Sequence, residues 1–382
     1  MNPRTRRSRR IRRKARRKMY ALDGATLPYA TLEDVVGDCR KLVAFISTAF
    51  SIHCKIERPE ELLRFEVRTD ASFNASCSLE PNGRTLVSVN LGVFVISRDI
   101  FFRLLSHPQV WPEIGDASLE TEVPSLFDYF TNANDLIWQG STTDMPLSPV
   151  SPKCPVRAAY ADWLDFIACS FVILHELGHA FHGHLAVVGP GNALLEVDPE
   201  GTATADCLTR QALEYDADNF ATNMILRLPN CPTDLLGRTT TQQQDLGTAI
   251  DVFRAVGTQF HLWCAGAKDI SVHRLDLNHP PPRIRQQAIS ITLSMFLQAR
   301  GIPPAKGSGF SDEFACIEGN YARLTGREID VAQAATRFFD MYGPGIVRRW
   351  AEIHPKVNAV AWIPIPAPGD ALQTFGLKET DD

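Results

Sequence analysis

The residues in this chain that carry chemistry most plainly are His175-Glu176-Leu177-Gly178-His179. Two histidines four positions apart on a helix share one face, one turn above the other. Their ring nitrogens can then occupy two corners of a zinc tetrahedron. Glu176 is rotated off that face, where it can reach a water without occupying the metal. The chemistry this spacing implies is metal-assisted hydrolysis of a peptide bond. Glu176 acts as general base on a zinc-bound water and then passes the proton to the leaving nitrogen.

A catalytic zinc needs a third protein ligand and an open fourth position. Metzincins take a glycine three residues and a histidine six residues after the second motif histidine. Those places hold His182 and Leu185 here, which excludes that class. The third ligand must come from another element, and Glu214 in Glu214-Tyr215-Asp216-Ala217-Asp218 is the leading candidate, with Asp206 and Glu196 as rivals. Leu213, Ala217, Phe220, Ala221 and Met224 surround it, so its helix is mostly buried, and carboxylates buried without partners are costly. Asp218 shares a helix face with Glu214 and can accept the free ring N–H of a ligand histidine, fixing its tautomer. His182 and His184, at the end of the motif helix, read as structural, since a histidine near a helix C-terminus is favourable in itself.

With these residues in place, the chain resembles the gluzincins of the CAAX-prenyl-protease and HtpX-type family. The resemblance rests on His-Glu-Leu-Gly-His, on the Glu-x-x-Ala-Asp helix, and on Asn278-His279-Pro280-Pro281-Pro282-Arg283-Ile284-Arg285, and it covers Phe171 to Arg285. It implies that His279 and one arginine line the site, stabilising the oxyanion of the tetrahedral intermediate or holding Glu214 or Asp218. The family's spacing favours Arg285, whereas the Arg-Ile pair favours Arg283. The family's membrane helices are absent from this sequence. Two soluble groups are similar as well: the Lit-like phage-exclusion peptidases, which carry HExxH without membrane spans, and the ImmA/IrrE-type regulator-cleaving peptidases, whose Glu-x-x-Ala-Asn-x-Phe-Ala helix is matched by Phe220-Ala221.

The elements that must position these groups follow from hydrophobic periodicity and turn chemistry. Leu32, Val35, Val36, Cys39, Leu42, Val43, Ile46 and Phe50 fall at helical spacing, with Thr31 as N-cap. Arg64 to Ser97 reads as a small, largely antiparallel sheet. Within it, Pro81-Asn82-Gly83 turns a hairpin between Ala75–Leu79 and the run from Thr85 to Leu91. Residues 107–156 read as a long irregular connection flanking the cleft. Helices are expected from Val156 to about Leu185, Thr202 to Leu228, Thr241 to Ala265 and from the proline run to about Arg300, with one or two more beyond. The expected architecture is an α+β, helix-dominated zincin-like metallopeptidase domain over residues 25–382, with its zinc core at 157–300 and a small antiparallel sheet before the active-site helix.

Composition bounds the reading. At 382 residues, 45% hydrophobic and 22% charged, the chain has the balance of a soluble globular protein. The apolar stretch before the motif, Phe166 to Leu174, is far short of the roughly 20 residues of a membrane span. Nine cysteines with no CxxC pair suit neither a disulfide framework nor a thiolate zinc site, and they point to a reducing, cytoplasmic setting. Residues 1–24 read as a disordered tail, with eleven basic residues and no acid between Arg4 and Lys18. Residues 4–18 could touch nucleic acid or an acidic surface. The expected cofactor is Zn2+ and the expected partner a protein or peptide substrate. Two alternatives stand beside the zinc endopeptidase: a catalytically silent zinc-binding interaction protein, and a nucleic-acid-associated protein directed by its Arg-rich tail.

Overall fold

The computed structural model describes residues 32–56, 58–70, 72–121, 150–188, 193–195, 207–228, 236–265, 280, 282–303, 310–325 and 331–366. The basic tail, Thr31, Glu196, Asp206 and His279 lie outside the described residues. The architecture is α+β with helices dominant. The chain opens with helices α1 (Leu32–His53) and α2 (Pro59–Leu62). Strands β1 (Leu63–Arg68), β2 (Ala75–Leu79) and β3 (Thr85–Asn90) follow, then helix α3 (Leu91–Leu105). The motif helix is α4 (Pro155–Phe181), followed by the short α5 (His184–Val188) and strand β4 (Ala193–Leu195). Helices α6 (Cys207–Ile225), α7 (Thr241–Ala265), α8 (Pro282–Ala299), α9 (Ser311–Thr325) and α10 (Val331–Val360) complete it.

The sheet has the order β1-β3-β2-β4. The hairpin forms where Asn-Gly places it: the Gly83 N–H bonds to the Glu80 carbonyl, and Gly83 takes φ +83°, a conformation that glycine adopts without penalty. The expectation of an antiparallel sheet needs one correction, because β1 pairs parallel to β3 with Leu63 opposite Thr85. Strand β3 inserts between β1 and β2, so the hairpin's return leg runs in the direction of β1. The β2–β3 and β2–β4 pairs are antiparallel. A second difference concerns residues 91–97, which are the first two turns of α3 rather than strand. Leu91-Gly-Val-Phe-Val-Ile is apolar on every side, and its burial on every side removes the periodicity that separates strand from helix.

Helix α4 is the central element. It starts at Pro155, whose missing N–H is no loss at a first helical position. Every residue from Ile167 to Phe181 is buried, because α3, α6, α7 and strands β2 and β3 pack around it. It is the one described helix long and apolar enough to cross a membrane, and 89% of that stretch is buried inside the protein. Its N-terminal end is fixed by Arg157, fully buried, which donates to the carbonyls of Leu105, His107, Val110, Trp111 and Ile114. Glu120 accepts the N–H groups of Lys153 and of the N-cap residue Cys154, fixing the entry to the helix. The start of the long connection, residues 107–114, is therefore wound around one guanidinium. No disulfide links the described cysteines 39, 54, 77, 154, 169, 207 and 316.

Candidate metal centre

Helix α6 crosses α4 at Gly178. A Cβ built there would lie 3.2 Å from the Ala217 Cα and 3.1 Å from Phe220 Cδ1, so glycine lets the two helix backbones approach more closely than a side chain would fit without a shift of a few tenths of an ångström. The contact sets Glu214, one turn before Ala217, against the histidine face of α4. His175, Glu176, His179, Glu214, Asp216 and Asp218 are all buried. Helix α6 thus carries three buried carboxylates in five residues, a costly arrangement unless each is partnered.

The partners are specific. His175 Nε2 lies 3.1 Å from Glu214 Oε2, His179 Nε2 lies 3.3 Å from Glu214 Oε1, and the two Nε2 atoms are 3.0 Å apart. The Glu214 carboxylate therefore straddles both imidazoles. A tetrahedral zinc with bonds of about 2.0–2.1 Å has ligand–ligand edges of about 3.3–3.4 Å, close to this spacing. On its other side His175 Nδ1 is 2.9 Å from Asp218 Oδ1. A carboxylate only accepts, so Nδ1 donates to Asp218, and with a cation among the three groups Nε2 would present a lone pair toward His179 and Glu214. His175, His179 and Glu214 form a buried group whose donor set fits a metal ion.

Arg285, on α8, donates to Asp218 through Nε at 2.8 Å and Nη2 at 2.7 Å, and its guanidinium lies 4.6 Å from the centre of the Phe260 ring. Arg283 faces elsewhere, with Nη2 3.5 Å from Glu318 Oε2. Of the two arginines the sequence offers, Arg285 is the one that reaches the site, and it holds Asp218. Burial alone would raise the Asp218 pKa. The charge and hydrogen bonds of Arg285, followed by those of His175, outweigh it and hold the carboxyl below its ordinary range. Glu176 is fully buried, and its charge, second to burial itself, pushes the buried Cys77 thiol on β2 well above its ordinary pKa. That electrostatic contact places β2 beside the turn of α4 that carries Glu176.

A second buried group abuts the first. His182, His184 and Asp216 have ligand-type atoms within 4.8 Å of one another. His182 Nδ1 meets Asp216 Oδ2 directly, His184 Nε2 lies 3.1 Å from the same oxygen, and His184 Nδ1 lies 2.8 Å from His179 Nδ1. The turn that makes this possible is Gly183, which has φ +72° just beyond the end of α4 and sends the chain back so that His184 faces His179. Burial lowers the His184 pKa to about 4, against the opposing pull of Asp216. Burial raises the Asp216 pKa, but the charge and hydrogen bonds of His182, then of His184, hold its carboxyl well below the usual range. Sequence reasoning treated His182 and His184 as a helix terminus and gave Asp216 no role. The available signal was three carboxylates at alternate positions of one buried helix, each of which needs a partner.

Residues 106–290 match the family model described as Peptidase U49, just under half of the chain. The match supports a peptidase acting on protein or peptide substrates, and it does not single out the CAAX-prenyl-protease and HtpX-type group. It spans α4, α6 and the first half of α8, and so includes His175, Glu176, His179, Glu214, Asp218, His279 and Arg285. It gives no support to a nucleic-acid partner. No curated protein and no solved structure matches the chain.

Proposed function

We propose that the protein is a zinc-dependent endopeptidase of the HExxH type, with His175, His179 and Glu214 as the metal ligands. The observation that carries this reading is the donor set itself. Two imidazole nitrogens and a straddling carboxylate converge within 3.0–3.3 Å in a buried site, and the His175 ring turns its other nitrogen, Nδ1, to Asp218. Atoms of these types gathered this closely need a shared proton or a metal ion among them, and two imidazoles with one carboxylate are a donor set that suits zinc. When bound, zinc supplies Lewis-acid chemistry, polarising a carbonyl oxygen and acidifying a water.

The chain's own residues do the rest. Glu176, adjacent to the first ligand on α4, takes the proton from the attacking water and delivers it to the departing amide nitrogen. Its full burial keeps the carboxylate away from bulk solvent, where its basicity is most sensitive to surrounding charge. Asp218 orients His175, and Arg285 orients Asp218 through two charge-assisted hydrogen bonds. For His279 the family resemblance implies a place lining the site, either stabilising the developing oxyanion or holding Glu214 or Asp218. The test is Glu176→Gln, assayed on a mixed peptide library with metal content measured in parallel. Zinc should remain bound while cleavage falls by several orders of magnitude. Normal cleavage by the variant would sink the mechanism.

A further inference from the structure

The His182–His184–Asp216 group has the composition of a metal site, yet its position against His179 points to a different use. We infer that His184 is a positioning residue for the first metal centre, linking the carboxylate of Asp216 to the outer nitrogen of His179. The inference rests on the zinc reading above and follows from counting protons. Asp216 Oδ2 is an acceptor, so the nitrogen facing it at 3.1 Å, His184 Nε2, carries the proton. An imidazole with one proton that donates through Nε2 presents a lone pair at Nδ1, and His184 is fully buried between the two partners. That lone pair faces His179 Nδ1 at 2.8 Å, a hydrogen-bond distance that requires the proton on His179 Nδ1. His179 Nε2 is then bare and points at His175 Nε2 and Glu214.

The two motif histidines are thereby fixed in the same tautomer by two different chains of contacts. His175 donates to Asp218, which Arg285 holds. His179 donates to His184, which donates to Asp216, which His182 also contacts. The same count shows what the second group cannot do while the first is filled. A metal on His184 Nε2 would move the His184 proton to Nδ1. His179 Nδ1 would have to accept it, and the His179 proton would move to Nε2, between the three candidate ligands. With neutral rings, a metal at one group excludes a metal at the other. The packing agrees with a fixed ring: His184 lies against Trp350 at 6.1 Å between ring centres, on the turn set by Gly183.

The test uses the full chain. Zinc per chain is measured by mass spectrometry, and zinc affinity by competition with a chelator, for wild type, His184→Leu and His184→Gln. The amide oxygen of glutamine can accept the His179 proton and leucine cannot. We expect one zinc per chain, a 10–100-fold loss of affinity in His184→Leu, and recovery of most of it in His184→Gln. Nitrogen-15 NMR of the zinc-loaded wild type provides an arm independent of whether the variants fold: His179 should be protonated at Nδ1 and His184 at Nε2. Two zincs per chain, wild-type affinity in His184→Leu, or His184 protonated at Nδ1 would overturn the inference while leaving the zinc peptidase standing. A wild type that binds no zinc would overturn the zinc reading itself.

Discussion

Replacing Arg285 by methionine removes the outermost member of the His175 chain and leaves the rest of the site in place. The Arg285 side chain is 3% exposed and that of Asp218 1% exposed, so solvent cannot substitute for the two lost hydrogen bonds. Removing one partner of such a buried pair leaves an uncompensated charge and costs about 3–5 kcal/mol of folding stability. Methionine fills much of the vacated volume, so the cavity contribution is small. With Arg285 gone, Asp218 retains His175 as its described hydrogen-bond partner and no longer holds a fixed position. A ligand histidine whose outer partner is disturbed loses about 10–100-fold in metal affinity. The two effects can be separated. Urea unfolding of the zinc-free protein reads the first, and chelator competition reads the second. Adding Asp218→Asn to Arg285→Met removes the stranded charge, so stability should recover by about 2 kcal/mol or more while zinc affinity stays low. The reasoning would be refuted by an Arg285→Met protein whose zinc affinity lies within about twofold of wild type, since Arg285 would then have no hold on His175.

Two further outcomes are expected. Gly178→Ala places a methyl group 3.2 Å from the Ala217 Cα, so α6 must shift and carry Glu214 with it. Overpacking costs about 1–3 kcal/mol and the better helix propensity of alanine returns about 1 kcal/mol, so a small loss of stability should accompany a clear loss of zinc affinity. Unchanged zinc affinity on titration would show that the helix contact does not set the ligand geometry. Asp165 addresses pH. Burial, opposed by Arg98 and aided by Asp162, raises its pKa from 3.8 to about 7. The folded protein therefore holds this proton more tightly than the unfolded chain, and the Asp165 contribution to stability declines as pH rises from about 4 to 7. Asp165→Asn should remove that slope from urea midpoints measured across this range, and an identical slope in both proteins would count against it.

What the sequence discloses and what it hides divide along physical lines. The motif on α4 is legible because helix geometry alone puts residues i and i+4 on one face. Glu214 and Asp218 are legible because a buried helix does not carry carboxylates without use for them. The choice between Arg283 and Arg285 is settled by the direction in which α8 presents each side chain, and spacing alone leaves it open. The His184–Asp216 contact depends on one glycine at φ +72°, which reverses the chain so that a residue five positions on meets His179 from the side. No periodicity encodes that. The hairpin is written in Pro81-Asn82-Gly83, whereas the parallel pairing of β1 depends on which strand inserts beside it. Strand β4 is only three residues long and borrows its conformation from β2. The Leu91–Ile96 run, apolar on all sides, fits a buried strand as well as a buried helix until its neighbours are known.

The measurement that bears most directly on the central claim is a crystal structure of the zinc-loaded protein with anomalous scattering recorded on both sides of the zinc absorption edge. The account predicts one strong anomalous peak about 2.0–2.2 Å from His175 Nε2, His179 Nε2 and the Glu214 carboxylate. A zinc-loaded crystal with no peak among those three residues, or with its peak among His182, His184 and Asp216 instead, would contradict it.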